Sequence, residues 1–339
     1  MKEAMFYQPL DENKVQCTLC PHNCTLKKDQ IGICGVRQNR DGKLYSLVYN
    51  RAIAVHVDPI EKKPLFHVAP GSQSFSMSTI GCNFKCMFCQ NSNISQISKS
   101  VDPAKTGTEI SPHEIVALAK KSQCQSIAYT YTEPTIYFEY AYDCCKIAHQ
   151  QNILNVFVSN GYINPEPLKQ VSPYLDAANI DLKSFQEKFY KQLVAAKLAP
   201  VLDTLKLMKK LNIWLEITTL IIPTKNDSDE ELTDIARFIK QELGQETPWH
   251  ISRFYPQYKL TTIPPTPVET LNRAREIGLS EGLRYVYTGN VHGDKGESTY
   301  CYNCGKIILK RYGFSLKTTH ITNSKCEFCD TKIDGLKLG

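Results

Sequence analysis

The chain has 339 residues, 40 basic against 34 acidic side chains and a net charge of +6, with apolar and charged fractions ordinary for a globular protein. That length accommodates one barrel-sized catalytic unit plus smaller attachments, and the charge is spread without the like-charge block of a nucleic-acid tail. No apolar run is long enough to cross a bilayer and the opening MKEAMFYQPLDENK lacks an apolar signal segment, so the expectation is a cytoplasmic protein with no membrane partner.

Fourteen cysteines stand out. In a reducing compartment, cysteines at short spacings are usually metal ligands rather than disulfide partners. The first group is Cys17, Cys20, Cys24 and Cys34. Four thiols can close a structural zinc site or hold an auxiliary iron–sulfur cluster, and their spacing does not choose between them. Lys62 and Lys63, within Pro59 to His67, read as solvent-exposed and are assigned no role.

Ser74 to Ile80 then alternates as a strand does, and Gly81 breaks it. Cys82, Cys86 and Cys89 follow, with Phe88 immediately before the last, so the group falls on a loop at a strand's C-terminal end, where parallel barrels carry their active sites. Three thiolates on a four-iron cluster leave one iron open to an exogenous ligand. The competing reading is a zinc site completed by a distant histidine or cysteine.

Downstream, short apolar runs alternate with amphipathic stretches, the pattern of β/α units around a parallel sheet. Further strands are predicted over Ser126–Thr132, Leu154–Ser159, Ala177–Leu182, Trp214–Ile222 and Trp249–Phe254. Helices are predicted over Pro112–Lys121, Thr135–Gln150, Val201–Leu211 and Asp229–Leu243. Cys124, Cys144 and Cys145 are single, and Met208, Trp214, Phe238 and Phe254 read as core. His250 and Arg253, on the last predicted strand, are candidate catalytic residues with no role assigned; the histidine could equally be a satisfied core residue.

Thr288 to Ser298 is rich in turn formers and reads as a linker. Beyond it, Cys301, Cys304, Cys326 and Cys329 form two C-x2-C knuckles at zinc-ribbon spacing. Tyr300, Tyr302, Tyr312 and Phe314, interleaved with Lys306, Lys310 and Arg311, read either as the small core of a structural ribbon or as a docking surface for nucleic acid or protein.

Gly81-Cys82-Asn83-Phe84-Lys85-Cys86-Met87-Phe88-Cys89 resembles the cluster-binding loop of the radical S-adenosylmethionine (SAM) superfamily. The resemblance implies an α/β partial (βα)6 TIM-like barrel over residues 71–295, here with a Cys-rich N-terminal segment (1–70) and a C-terminal zinc-ribbon-like unit (296–339). It also implies a [4Fe–4S] cluster on the three cysteines and reductive cleavage of S-adenosylmethionine to a radical that abstracts a substrate hydrogen. Thr130-Tyr131-Thr132-Glu133-Pro134 occupies the place of the family's Thr-Gly-Gly-Glu-Pro motif, so Glu133 is expected to receive the cofactor's amino group, although Tyr131 and Thr132 replace both glycines. Ser159-Asn160-Gly161 and Asp181-Leu182-Lys183 resemble further cofactor-binding motifs, with Phe88, Ser159, Asn160, Asp181 and Lys183 as expected contacts. An ordinary exposed ion pair is the alternative for Asp181 and Lys183.

CTLCPHNC, GICGVR and DPIEKKPLFH together are similar to the AmmeMemoRadiSam-associated radical enzymes, relatives of pyruvate formate-lyase activating enzyme, from about residue 15 to residue 293. That likeness implies a flavodoxin- or ferredoxin-type reductant, Memo-like and AMMECR-like partners, and a protein or small-molecule substrate. The competing functions are an RNA-modifying radical enzyme docking RNA through its ribbon, and a non-catalytic zinc-binding scaffold.

Overall fold

The apolar runs become the strands of one open sheet in the computed structural model, which describes residues 1–98 and 100–339. In chain order these are β1 (Ala54–Pro59), β2 (Gln73–Ser78), β3 (Ser126–Tyr129), β4 (Leu154–Ser159), β5 (Ala177–Asp181), β6 (Trp214–Ile221), β7 (Trp249–Arg253) and β8 (Val286–Gly289). Each pairs with the next, β2 to β8 all parallel, while β1 runs antiparallel along β2. Helices follow each of β2 to β7: α1 (Pro112–Lys121), α2 (Phe138–Gln150), α3 (Pro165–Val171), α4 (Ala199–Lys210), α5 (Asp229–Phe238) and α6 (Val268–Ser280). The result is six β/α units, a seventh parallel strand, and an unclosed barrel whose edges are β1 and β8.

Local chemistry sets the helix boundaries. Ser111 and Glu114 exchange side-chain-to-backbone hydrogen bonds in a capping box at the start of α1, and Ser228 caps α5. The helix predicted from Thr135 begins at Phe138, because Pro134–Tyr137 winds as a tighter 3-10 turn. The one predicted to Leu243 keeps regular α geometry to Phe238 and then widens into a π turn. Strand β8 was not predicted: its four residues run into the apparent linker, and β7 supplies the pairing edge through His250↔Tyr287 and Ile251↔Thr288. The linker reading from Thr288 is corrected accordingly.

Of the N-terminal cysteines, Cys17 ends a strand of a short antiparallel sheet and Cys20, Cys24 and Cys34 lie in the turns around it, in a segment that packs on α2. Phe6 meets Phe138 edge-on at 5.1 Å, and the buried Arg37 guanidinium bonds the buried Glu139 carboxylate at 2.5 Å.

At the barrel floor the segment after β1 folds inward. Glu216 on β6 accepts from Phe66 N (3.0 Å), His67 N (2.9 Å) and His250 Nε2 (2.7 Å). The His67 ring bridges the Asp334 carbonyl and the Tyr287 hydroxyl, each at 2.6 Å. Arg311, from the C-terminal unit, donates to the Phe66 carbonyl and the Thr299 hydroxyl, both at 2.7 Å. The C-terminal unit is therefore fastened to the barrel through buried polar contacts. Its own core is aliphatic, built on Ile308, Leu309, Ile321, Ile333 and Leu338 around the cysteines. The aromatic core read from its sequence is corrected: Tyr302, Tyr312 and Phe314 are exposed.

Burial holds the His67 imidazole neutral, its pKa lowered to about 4 from the ordinary 6.5. Because the folded-state value lies below the unfolded one, the stability it contributes is complete above pH 6.5 and is lost as pH falls towards 4. The shift corresponds to about 3 kcal/mol. In thermal melts from pH 7.5 to 4, the wild type should lose stability steeply below pH 6.5 and His67→Gln should show a flatter dependence; parallel curves would show that His67 is not a pH-sensitive fastening.

Candidate active site

The loop after β2 is shaped by close approach. Gly81 has φ +94°, and a Cβ there would lie 2.7 Å from the Cys34 carbonyl oxygen, so glycine is required. Backbone bonds from Lys85 N to Val194 O and from Met87 N to Leu193 O, both 2.9 Å, pin the turn carrying Cys86. Asn160 at the end of β4 donates to the Asn83 side chain at 2.8 Å, and Asn83 donates to the Tyr162 carbonyl at 3.0 Å.

Cys82, Cys86 and Cys89 all face one cavity of about 480 Å³ at the C-terminal ends of the strands. Among the described residues, Cys301, Cys304, Cys326 and Cys329 form the only group of three or more metal-ligating side chains whose donor atoms all lie within 4.8 Å of one another. The three loop thiols are thus spread more widely than a single tetrahedral ion requires, as a multi-iron cluster would need. Burial pushes the Cys86 thiol up to about 12 and Cys82 well above its usual range, so their thiolates need a cationic partner. Donors to sulfur are in place: Phe84 N lies 3.4 Å from Cys82 Sγ and Ser95 Oγ 3.1 Å from Cys89 Sγ. These residues fit a three-thiolate iron–sulfur cluster.

Phe88, Ser159, Asn160, Asp181 and Lys183 line the same cavity. Lys183 Nζ lies 2.8 Å from Asp181 and 5.9 Å from the centre of the Phe88 ring. Burial opposes its charge, but Asp181 and Cys86 outweigh that effect and raise its pKa. Glu133, in contrast, stands behind the wall. Its buried carboxylate accepts from Thr135 N (3.0 Å), Thr135 Oγ1 (2.7 Å), Ser159 Oγ (2.8 Å) and Asn160 N (2.8 Å), tying the end of β3 to the end of β4. Tyr131 takes the left-handed φ of +62° where the family motif has glycine. Its carbonyl accepts from Asn91 at 2.7 Å, a contact that helps hold the left-handed turn without glycine.

The two candidate catalytic residues stand outside the cavity. His250 faces the barrel interior one layer too low, on Glu216, while Ser252, two residues on and on the same face of β7, reaches the cavity. Arg253 points the other way and donates to the Thr266 carbonyl at 2.7 Å.

Lys63 was read as exposed and is corrected: its side chain is 2% exposed and lines the cavity with Lys62. Its Nζ is 2.7 Å from Asp58 Oδ2 and 4.7 Å from the centre of the Tyr131 ring, and Lys62 Nζ is 2.7 Å from Asp58 Oδ1. Asp58 also accepts from Ser76 and from the Tyr131 hydroxyl. Desolvation works against the Asp58 charge, yet these donors hold its carboxyl well below the usual range; burial lowers the Lys63 pKa against the pull of Asp58. Sequence reasoning also missed Phe314, which brings the C-terminal unit to the cavity wall. An aspartate followed four and five residues later by lysines was the available signal for the charged floor.

Comparison with known proteins agrees with this geometry. Residues 77–239 match the Radical SAM superfamily. The chain is 48% identical over 336 residues to the uncharacterized protein MJ0808 of Methanocaldococcus jannaschii, covering 98% of this chain and 99% of the relative. MJ1632 of the same organism, described as a glycyl-radical enzyme activating enzyme, is 26% identical over 212 residues, covering 61% of this chain and 78% of that one. Among solved structures, Streptococcus suis SuiB bound to S-adenosylmethionine shares the fold with a TM-score of 0.52 at 13% identity, over 69% of this chain and 53% of SuiB. A radical SAM methyltransferase from Sphaerobacter thermophilus gives 0.50 at 16% identity, over 70% and 71%. The chain belongs to the radical SAM superfamily.

Proposed function

We infer that Cys82, Cys86 and Cys89 hold a [4Fe–4S] cluster beside a site for S-adenosylmethionine. The observation that carries this reading is a three-thiol set, short of one ligand and too widely spread for a single ion, facing a cavity with polar walls. When bound and reduced by one electron, a cluster on these cysteines would supply the reductive cleavage of S-adenosylmethionine to methionine and a 5′-deoxyadenosyl radical capable of hydrogen abstraction. The chain's own residues position the reactants. Lys183 and Asp181 offer a cation and an anion to the cofactor's carboxylate and amino groups, with Asn160 and Ser159 beside them. Glu133 acts from behind the wall by orienting Ser159 and Asn160.

The floor selects the substrate. Lys62 and Lys63 share one carboxylate, Asp58, which leaves one positive charge uncompensated in a partly desolvated space. A substrate carrying an anionic group, presented as a small molecule or on a peptide segment, fits that surplus. The C-terminal cysteines hold zinc in this reading, their thiols pairing at 3.6 Å (Cys301 with Cys329) and 3.9 Å (Cys304 with Cys326). The motif likeness supports Memo-like and AMMECR-like partners, which co-purification would test.

Two measurements check this assignment. Anaerobic protein reduced with dithionite should convert S-adenosylmethionine to 5′-deoxyadenosine and methionine, and Cys86→Ala should form neither, since two thiolates cannot retain the cube in this open loop; full turnover by the variant would refute the assignment. Lys63→Met, which keeps most of the stem's volume, should retain substrate-independent 5′-deoxyadenosine formation and lower substrate-coupled turnover roughly 10- to 100-fold, as expected for one charge-assisted contact. Unchanged coupling would mean that the floor does not touch substrate.

A further inference from the structure

The four N-terminal cysteines differ in geometry from the four at the C-terminus, although both sets have the same ligand count. In the C-terminal group every sulfur lies within 4.8 Å of the others, close to the roughly 3.8 Å separation that four 2.3 Å zinc–sulfur bonds impose on a tetrahedron. Among the described residues, Cys17, Cys20, Cys24 and Cys34 do not converge to that distance, and in this they match Cys82, Cys86 and Cys89. They nevertheless belong together. Cys20 lies within electrostatic reach of the other three, and a Cβ on Gly32 would sit 3.9 Å from both Cys24 Sγ and Cys34 Sγ.

A second observation is independent of the cysteines. Arg37, 2% exposed, spends Nε on the Ile136 carbonyl and Nη2 on Glu139, while its buried Nη1 has no acceptor among the described residues. The groups acting on Cys17 and Cys34 include this guanidinium. An orphaned buried donor is destabilising, and an anionic, sulfur-rich group held by four thiolates would supply the missing acceptor and counter-charge.

Placement completes the case. The N-terminal loops pack directly on the cluster-binding loop: Gly81 leaves no room for a Cβ against the Cys34 carbonyl, and His22 Nε2 bonds the Asn83 carbonyl at 2.8 Å. Thr25, Lys27 and Lys28, which follow the half-buried Cys24 in the chain, are exposed. We propose that Cys17, Cys20, Cys24 and Cys34 bind a second [4Fe–4S] cluster, fully ligated by protein, that relays single electrons from a flavodoxin- or ferredoxin-class donor to the barrel site. This rests on the reading of Cys82, Cys86 and Cys89 as a cluster site. Each transfer oxidises the donor by one electron and reduces the barrel cluster by one, and no bond forms or breaks. Four protein ligands leave no open iron, which suits electron transfer rather than substrate binding.

The test is metal stoichiometry of the full chain purified anaerobically. About eight irons and one zinc per chain are expected. About four irons with two zincs would overturn the second cluster and leave the barrel assignment standing, whereas no iron would sink both. A variant carrying Cys82→Ala, Cys86→Ala and Cys89→Ala should keep about four irons, and a reduced flavodoxin should generate the electron paramagnetic resonance signal of a reduced cluster in it. An iron-free variant, or a retained cluster that the protein donor cannot reduce while dithionite can, would overturn the relay.

Discussion

The Glu216 carboxylate, sealed from water at the barrel floor, is the interaction on which the rest of the structure turns. A buried carboxylate is tolerable only when its oxygens are filled, and here the fillers come from three parts of the chain: the Phe66 and His67 amides, the Trp214 indole and the His250 ring. Satisfying that one charge folds the strap after β1 under the sheet. The strap's direction sets Lys63 into the cavity, and its last residues receive Arg311 and the Leu336 backbone of the C-terminal unit. The same interaction therefore closes the floor, charges it and attaches the ribbon.

A second buried carboxylate performs the matching task at the rim. Glu133 takes four hydrogen bonds between the ends of β3 and β4, which fixes Ser159 and Asn160 beside the cysteine loop. The left-handed Tyr131 shows how a glycine position can be occupied by a large residue when tertiary contacts over-determine it. Its hydroxyl is held by Asp58, its ring lies under Lys63, and its carbonyl is held by Asn91. The replaced motif residue thereby links the rim beside the cysteine loop to the Asp58–Lys63 floor.

The three cysteine groups show how spacing and count leave coordination undecided. Four cysteines occur at each end of the chain, yet among the described residues one set converges within 4.8 Å and the other does not. The loop of Cys82, Cys86 and Cys89 is crowded from the outside by Cys34, so the N-terminal segment braces that loop without lining the cavity.

Much of this protein was determined locally. Alternating apolar runs, capping residues and glycine breaks placed six of the seven parallel strands and four of the six barrel helices, α3 and α6 being missed, because short-range sterics and side-chain periodicity decide such elements. The loop of Cys82, Cys86 and Cys89 was legible because its chemistry lies within eight residues. What only the tertiary structure decided involves partners far apart in sequence. Lys63 is covered by Tyr131, from the turn after β3; His250 is claimed by Glu216; Phe314 arrives from the C-terminal unit; Glu133 is turned from ligand to brace by Ser159 and Asn160 at the end of β4. Side-chain type and period are local properties, whereas burial and the satisfaction of buried charge depend on which distant segments the chain brings together.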